Sequence, residues 1–228
     1  MDYKEIMDKP YIITAYYTDN GPYPSAAQRL IKSLKQFNLV YEITSIKDLG
    51  DWYKNTQYKP VFLQEKLKKF YPYSIVYVDI DAVICRNPIL FNQLDDMSHV
   101  NIAVHVLDHS QRKRKNNPPE LLSGTIYLKN TKETSIIMLE WIKECEKNPK
   151  LWDQRALDIV LKDRDFYYLP EEYCCIFDYM SDVFSPVIVH YQASRIAKGQ
   201  LKNRVKNPNI ISVVNQKVNS IPQRFGGK

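Results

Sequence analysis

Ser74-Ile75-Val76-Tyr77-Val78-Asp79-Ile80-Asp81 decides the fold of this chain. Four apolar or aromatic residues run into two aspartates separated by one residue, a composition that favours a strand buried on both faces. Residues two apart in a strand share a face, so the spacing predicts both carboxylates on one side at the strand's C-terminal end. Like charges brought together away from water are costly unless a cation neutralises them. A hard divalent ion such as Mn²⁺ or Mg²⁺, which takes oxygen ligands, would do so. Open α/β sheets also bind ligands beyond the carboxyl ends of their strands. The Asp-x-Asp spacing alone is common; the preceding apolar run and the following Val83-Ile84 set it apart from a pair of solvated acids closing a strand.

Outward from this stretch, strands and helices alternate. Residues 11–17 read as a buried first strand and 19–24 as a Gly/Pro loop. Ser25 is placed to cap a helix over 26–37, with Leu30, Leu34 and Phe37 on one face. A second strand is expected over 39–43 and a loop over 48–59, after which Pro60 suits the first turn of a helix reaching Phe70. Further strands are expected at 100–106, 125–128, 166–169 and 187–190, and helices at 134–146 and 153–161. This order predicts one α/β domain over residues 1–195, with a mainly parallel, mixed central sheet flanked by helices. Residues 196–228 form a basic C-terminal tail or flap expected to pack on it.

Composition narrows the field. In 228 residues, 44% are hydrophobic and 17 Tyr, 8 Phe and 3 Trp supply a large core, which excludes collagenous and disordered classes. No run approaches the roughly 18 apolar residues of a bilayer span. The opening Met1-Asp2-Tyr3-Lys4-Glu5 is charged where an export signal needs an apolar run, so a cytoplasmic location is expected. Cys85, Cys145, Cys174 and Cys175 contain no Cys-x-x-Cys pair, in keeping with a reducing compartment. The net charge is +6, yet eight basic and no acidic residues follow Asp182, leaving the preceding chain slightly acidic. That tail suits a flap near donor phosphate or a weak anchor at an anionic inner-membrane surface; no motif for nucleic acid accompanies it.

The stretch Tyr77-Val78-Asp79-Ile80-Asp81 resembles the metal-binding segment of GT-A-fold, nucleotide-sugar-dependent glycosyltransferases, in particular the glycosyltransferase family 8 and nucleotide-diphospho-sugar transferase groups. An ordered series over residues 10–195 carries the resemblance. Lys59-Pro60-Val61-Phe62-Leu63 resembles the helix start before that strand, and Ser123-Gly124-Thr125-Ile126-Tyr127 the strand with a Ser-Gly step. Trp152-Asp153-Gln154-Arg155 resembles the Asp-Gln helix, Leu169-Pro170 a strand end, and Val187-Ile188-Val189-His190-Tyr191 the late strand whose histidine completes the metal site. Two features depart from the pattern: Leu122 stands where asparagine often precedes Ser-Gly, and no Gly-rich, lysine-bearing segment follows His190.

The resemblance implies a hexosyltransferase moving a sugar from a nucleotide-sugar, UDP by default, to a glycan, lipid or protein hydroxyl with retention of configuration. It implies Mn²⁺ or Mg²⁺ on Asp79, Asp81 and His190, and Asp153 and Gln154 as catalytic groups orienting sugar or acceptor. Tyr17 would stack on the nucleobase near Thr14, Gly124 would admit the donor, and Lys59 and Arg195 would meet phosphate. Each has an ordinary counterpart: a cap for Asp153, a core edge for Tyr17, a singly bonded buried ring for His190, solvated cations for Lys59 and Arg195. Two other functions compete. Asp79-Ile80-Asp81-Ala82-Val83 also resembles the opening motif of haloacid-dehalogenase-type phosphatases, in which Asp79 would attack phosphate. A non-enzymatic anion-binding protein would use the tail and Arg112-Lys113-Arg114-Lys115 on nucleic acid or membrane.

Overall fold

The structure, a computed structural model, describes residues 10–110, 112, 115–193 and 195. The chain divides into two compact units, Met1–Tyr191 and Gln192–Lys228, and the fold described is that of the first. The expected flap at 196–228 lies outside the described residues. In chain order the elements are β1 Tyr11–Thr18, α1 Tyr23–Gln36, β2 Tyr41–Ile46, α2 Trp52–Lys69, β3 Ser74–Val78, β4 Ala82–Ile84, α3 Leu90–Asp96, β5 Ile102–Leu107, β6 Glu120–Leu128, α4 Lys132–Lys147, α5 Asp153–Leu161, β7 Tyr167–Tyr168, β8 Cys175–Ile176 and β9 Ile188–His190. Among the described residues no helix is long and apolar enough to cross a membrane.

Six strands form the central sheet in the order β2-β1-β3-β6-β5-β7. β1 pairs parallel with β2 and β3, and β5 with β7, while β6 runs antiparallel between β3 and β5. This is the mixed, largely parallel sheet expected from the alternating pattern. The two-residue period of the strands divides the core. Ile12, Ile75, Tyr77 and Ile126 pack with Phe62, Leu63, Met138, Trp141 and Leu157 from α2, α4 and α5. Ile13, Ala15, Val76 and Val78 pack on the other face with Ala27, Leu30 and Leu34 of α1 and Phe91 of α3. With both faces covered, β1 and β3 lose the apolar-polar alternation of a one-sided sheet.

Four local departures from the sequence expectation have identifiable causes. Ser25 lies inside α1, its hydroxyl donating to Pro22 O at 2.9 Å, because Pro22 and Pro24 set the helical entry earlier. β2 begins at Tyr41 because Asn38 takes φ +50° and Leu39 N–H returns to Leu34 O at 3.1 Å, closing the helix end. α2 begins at Trp52, capped by Asp51, whose side chain accepts from Lys54 N–H at 2.8 Å, so Pro60 stands in the helix interior. A proline there removes the N–H that would bond the carbonyl four residues earlier. The Tyr16 hydroxyl, reaching across from β1, contacts that Thr56 carbonyl at 3.4 Å and donates to Asn55 O at 2.7 Å.

The fourth departure concerns the aspartates. β3 ends at Val78, and Asp79-Ile80-Asp81 forms a turn closed by Ala82 N–H to Asp79 O at 2.9 Å. A tight turn replaces strand alternation, and it leads into a second, three-stranded sheet ordered β4-β9-β8.

At the sheet's β2 edge, Glu42 is bridged by Lys66 and Lys69 from α2. Burial alone would raise its carboxyl pKa; the hydrogen bonds and charges of the two lysines reverse this and hold it below the usual carboxylate range. Stability from this bridge is therefore present above the unfolded carboxyl's pKa of about 4.3 and is lost as pH falls through the lower folded value. Glu42→Gln is expected to cost about 1–2 kcal/mol at pH 7 in urea unfolding. The gap to wild type should close steadily as pH falls below about 4.

Candidate active site

The Asp79–Asp81 turn is held at both ends. Asp79 N–H donates to Gly124 O at 2.8 Å, and Ile80 is buried in the α1-side core. Tyr77, two residues earlier near the end of β3, donates its hydroxyl to Asp79 Oδ1 at 2.9 Å. Asp79 Oδ2 instead faces Gly124, 3.4 Å from where a Cβ would stand, and His190 Cε1 lies 3.2 Å from that point. A methyl group at position 124 would press on the His190 ring and touch the Asp79 carboxylate, so the glycine here makes room for the imidazole beside it.

His190 arrives through the second sheet. β9 runs antiparallel to β4 with His190 opposite Ala82, and Tyr191 N–H donates to Asp81 O at 3.2 Å. The buried ring places Nδ1 3.5 Å from Asp81 Oδ1 and Nε2 2.9 Å from Thr125 Oγ1. Burial alone would lower its pKa; hydrogen bonding to Asp81, with a further contribution from Cys174, raises it to about 10. Asp79 keeps 40% of its side-chain surface exposed. Its pKa lies above the usual range, raised first by desolvation and then by Asp81, against the lowering effect of Lys59.

Lys59 joins this turn to α5. Its side chain is only 6% exposed, and Nζ sits 2.8 Å from Asp153 Oδ2, 3.2 Å from Asp79 Oδ1 and 3.1 Å from both Ser123 O and Ser123 Oγ. Burial would lower the ammonium pKa, but Asp153 and Asp79 reverse that and raise it above the ordinary lysine value. Asp153 is the first residue of α5, with Trp152 as its cap, and is fixed further by Ser123 Oγ–H at 2.8 Å and by Trp141 Nε1–H to its carbonyl at 2.8 Å. The neighbouring Gln154 amide is held in one orientation. Oε1 accepts from Ser123 N–H at 3.2 Å, and Nε2 donates to Glu120 Oε1 at 2.8 Å. Behind Glu120, His109 Nε2 stands 3.4 Å from its other oxygen, while His109 Nδ1 is 2.8 Å from the Tyr179 hydroxyl.

The structure thus brings Lys59, Asp79, Asp81, Gly124, Asp153, Gln154 and His190 into one connected region. Thr14 is elsewhere occupied: fully buried in β1, it donates its hydroxyl to Glu42 O at 3.0 Å. Tyr17 is half-buried and packs against the α1-side core. Arg195 lies in the unit that begins at Gln192. Arg112, from the basic run, turns inward onto Glu171 and Asp182. Among the described residues no three His, Cys, Asp or Glu side chains form a preformed metal cluster.

Sequence reasoning assigned no role to Tyr77, Thr125, Ser123, Glu120 or Tyr23. The two-residue period would have found Tyr77 beside Asp79. The Tyr23 phenol, at the start of α1, has its pKa raised by burial and then by the charges of Asp81 and Asp79.

The profile of the nucleotide-diphospho-sugar transferase family matches residues 51–202, and the chain belongs to that family. The match begins at the cap of α2 and takes in every residue of the connected region. It sets aside the phosphatase alternative. No curated protein matches. Among solved structures, the fold is similar to a glycosyltransferase involved in glycosylation of the major capsid of PBCV-1, with TM-score 0.63, 11% identity, and coverage of 83% of this chain and 97% of that one. It is also similar to the apo form of the glycosyltransferase GlyE of Streptococcus pneumoniae TIGR4, with TM-score 0.57, 14% identity, and coverage of 90% of this chain and 62% of that one. A third is the galactosyltransferase LgtC in complex with donor and acceptor sugar analogues, with TM-score 0.55, 11% identity, and coverage of 93% and 98%. At these identities the likeness is one of fold, the GT-A-like architecture of glycosyltransferases.

The ion pairs on Lys59 give a direct test. Removing one partner of a buried pair strands the other's charge, so Lys59→Met is expected to cost about 3–5 kcal/mol in urea unfolding. Adding Asp153→Asn removes the more deeply buried of the two stranded charges and should recover a large part of that loss; simple additivity of the two single losses is the contrary outcome.

Proposed function

We propose that this protein is a metal-dependent hexosyltransferase that moves a sugar from a UDP-sugar to a hydroxyl group of an acceptor with retention of anomeric configuration. The observation that carries this reading is the meeting of Asp79 and His190 beside Gly124, with Asp81 3.5 Å from the same imidazole and Lys59 tying Asp79 to Asp153. The donor set fits a hard divalent cation, since two carboxylates and one imidazole are ligands that Mn²⁺ accepts. Gly124 lets Asp79 and His190 lie side by side, since a Cβ there would stand 3.2 Å from the His190 ring and 3.4 Å from Asp79 Oδ2. Asp79, Asp81 and His190 would hold the ion, which supplies Lewis-acid neutralisation of the diphosphate leaving group when bound.

The remaining groups work by position. Lys59 and Tyr77 engage Asp79 Oδ1, which leaves Oδ2 turned toward the opening by Gly124. Asp153, 7% exposed and satisfied by Lys59 and Ser123, is poorly placed to remove a proton from water or an acceptor. That suits a retaining displacement, which asks for orientation and leaving-group stabilisation more than for a base. Gln154, fixed by Ser123 and Glu120, presents a rigid amide on the same helix start.

Calorimetric titration with UDP and GDP, with and without Mn²⁺, tests the reading. Mn²⁺-dependent UDP binding is expected, weakened at least tenfold, about 1.4 kcal/mol or more, in Asp81→Ala. Failure to bind either nucleotide under every condition would overturn it.

A further inference from the structure

One aromatic group remains unused by the donor-side geometry. Trp52 and Tyr53 open α2, and Trp152 caps α5. The Trp52 ring meets Trp152 at 5.8 Å and 75°, and Tyr53 at 5.2 Å and 74°, so the three rings form angled walls instead of a flat stack. Tyr53 and Trp152 keep 40% and 38% of their surface exposed. The corner is braced from behind by Gln57, whose Nε2 donates to Asn148 O at 2.9 Å and to Leu151 O, joining α2 to the segment that leads into α5. Its rim is polar, with exposed Asp51 and Lys54 side chains beside the rings.

Both elements of this corner also carry the site. Trp152 directly precedes Asp153, and Lys59 stands seven residues beyond Trp52, about 10 Å along the same helix. We infer that Trp52, Tyr53 and Trp152 form a shelf for the acceptor and that the acceptor is a saccharide, one of whose rings lies on the exposed aromatic faces. This rests on the glycosyltransferase reading above.

The chemistry selects this occupant. Aromatic faces carry negative charge density and attract the weakly positive C–H face of a pyranose, while a polar rim serves the outward hydroxyls. Size argues against a protein partner. Fully buried aromatic side chains account for about 150–250 Å² each, so three rings at this exposure offer at most about 300 Å². A stable protein interface needs about 800 Å² from each side. A terminal sugar presented to the reaction centre, with the next ring on the shelf, would span the separation along α2.

Saturation-transfer NMR on the full chain, with methyl β-galactoside, methyl β-glucoside, lactose and maltotriose as probes, tests the shelf. Transfer to the ring C–H protons of at least one probe is expected at millimolar concentration. Trp152→Ala and Tyr53→Ala should each weaken that binding about tenfold while UDP affinity stays unchanged. Tyr53→Ala decides the matter should Trp152→Ala fail to fold. No transfer to any probe, or equal affinity in wild type and Tyr53→Ala, overturns the inference. So does sedimentation showing a dimer that Trp152→Ala or Tyr53→Ala dissociates, since the rings would then be an interface between copies. The UDP titration reports separately: saccharide binding that depends on the rings, without nucleotide binding, would uphold a saccharide site at the rings and overturn both the donor reading and the acceptor role.

Discussion

The ammonium of Lys59, set between Asp79 and Asp153, is the interaction on which the rest of the site depends. A buried cation is tolerable only when paired and hydrogen-bonded, and this one takes two carboxylates and both oxygens of Ser123. Those partners come from three separate places, the turn after β3, strand β6 and the start of α5, and Lys59 itself from a fourth, α2. One nitrogen atom therefore fixes the relative placement of groups that lie far apart in the chain. The surrounding core makes that placement stiff, with Trp141 of α4 fully buried and bonded to the Asp153 carbonyl. Site geometry carried by packed elements instead of mobile loops is the condition for holding a reacting centre within a fraction of an ångström.

The position of Lys59 follows from a feature that local rules misplace. A proline after lysine reads as a helix start, and by propensity alone α2 should open there. Instead α2 has already made two turns, because Asp51 caps Trp52 and the intervening residues tolerate helix. The Thr56 carbonyl that Pro60 leaves short of a donor has the Tyr16 hydroxyl 3.4 Å away, while that hydroxyl donates to Asn55 O at 2.7 Å. Only the tertiary structure brings Tyr16 to that point, so no window around residue 60 could reveal it. The same holds for Lys59 itself. A lysine in a polar stretch reads as a solvated cation or a phosphate contact, and burial between two aspartates is visible only once β3 and α5 are in place.

Much of the fold was nevertheless legible. The sheet, the bounds of α5 and the approximate course of β1, β3, β5 and β9 follow from apolar runs and their spacing, since strands covered on both faces leave strong signals. Asp79 and Asp81 stood out by type and spacing, and Gly124, Asp153, Gln154 and His190 through the family resemblance; the structure gathers all six. The manner of gathering was not legible. The spacing of Asp79 and Asp81 suggested a strand face, whereas a turn closed by Ala82 N–H sets their separation. The supporting residues Ser123, Thr125 and Glu120 were silent because hydroxyls and a lone carboxylate have no periodic signature. Their roles arise from antiparallel β6 passing directly beneath the site.

On the proposed reading, a bound cation would answer the charge balance of this arrangement. Three carboxyl groups, those of Asp79, Asp81 and Asp153, face one permanent ammonium, and the structure compensates by raising the pKa of His190 to about 10. Even with that proton the positive groups number two against three. The upward shift of Asp79 comes first from desolvation, with Lys59 opposing it and Asp81 adding to it. Replacing the imidazole proton by a divalent ion would bring the cluster to neutrality while satisfying the same three side chains. A solely structural role for Asp79 and Asp81 would require no such open balance. Two neutral side chains in their places would close the turn without the repulsion, and Gly124 would have no carboxylate and imidazole to accommodate.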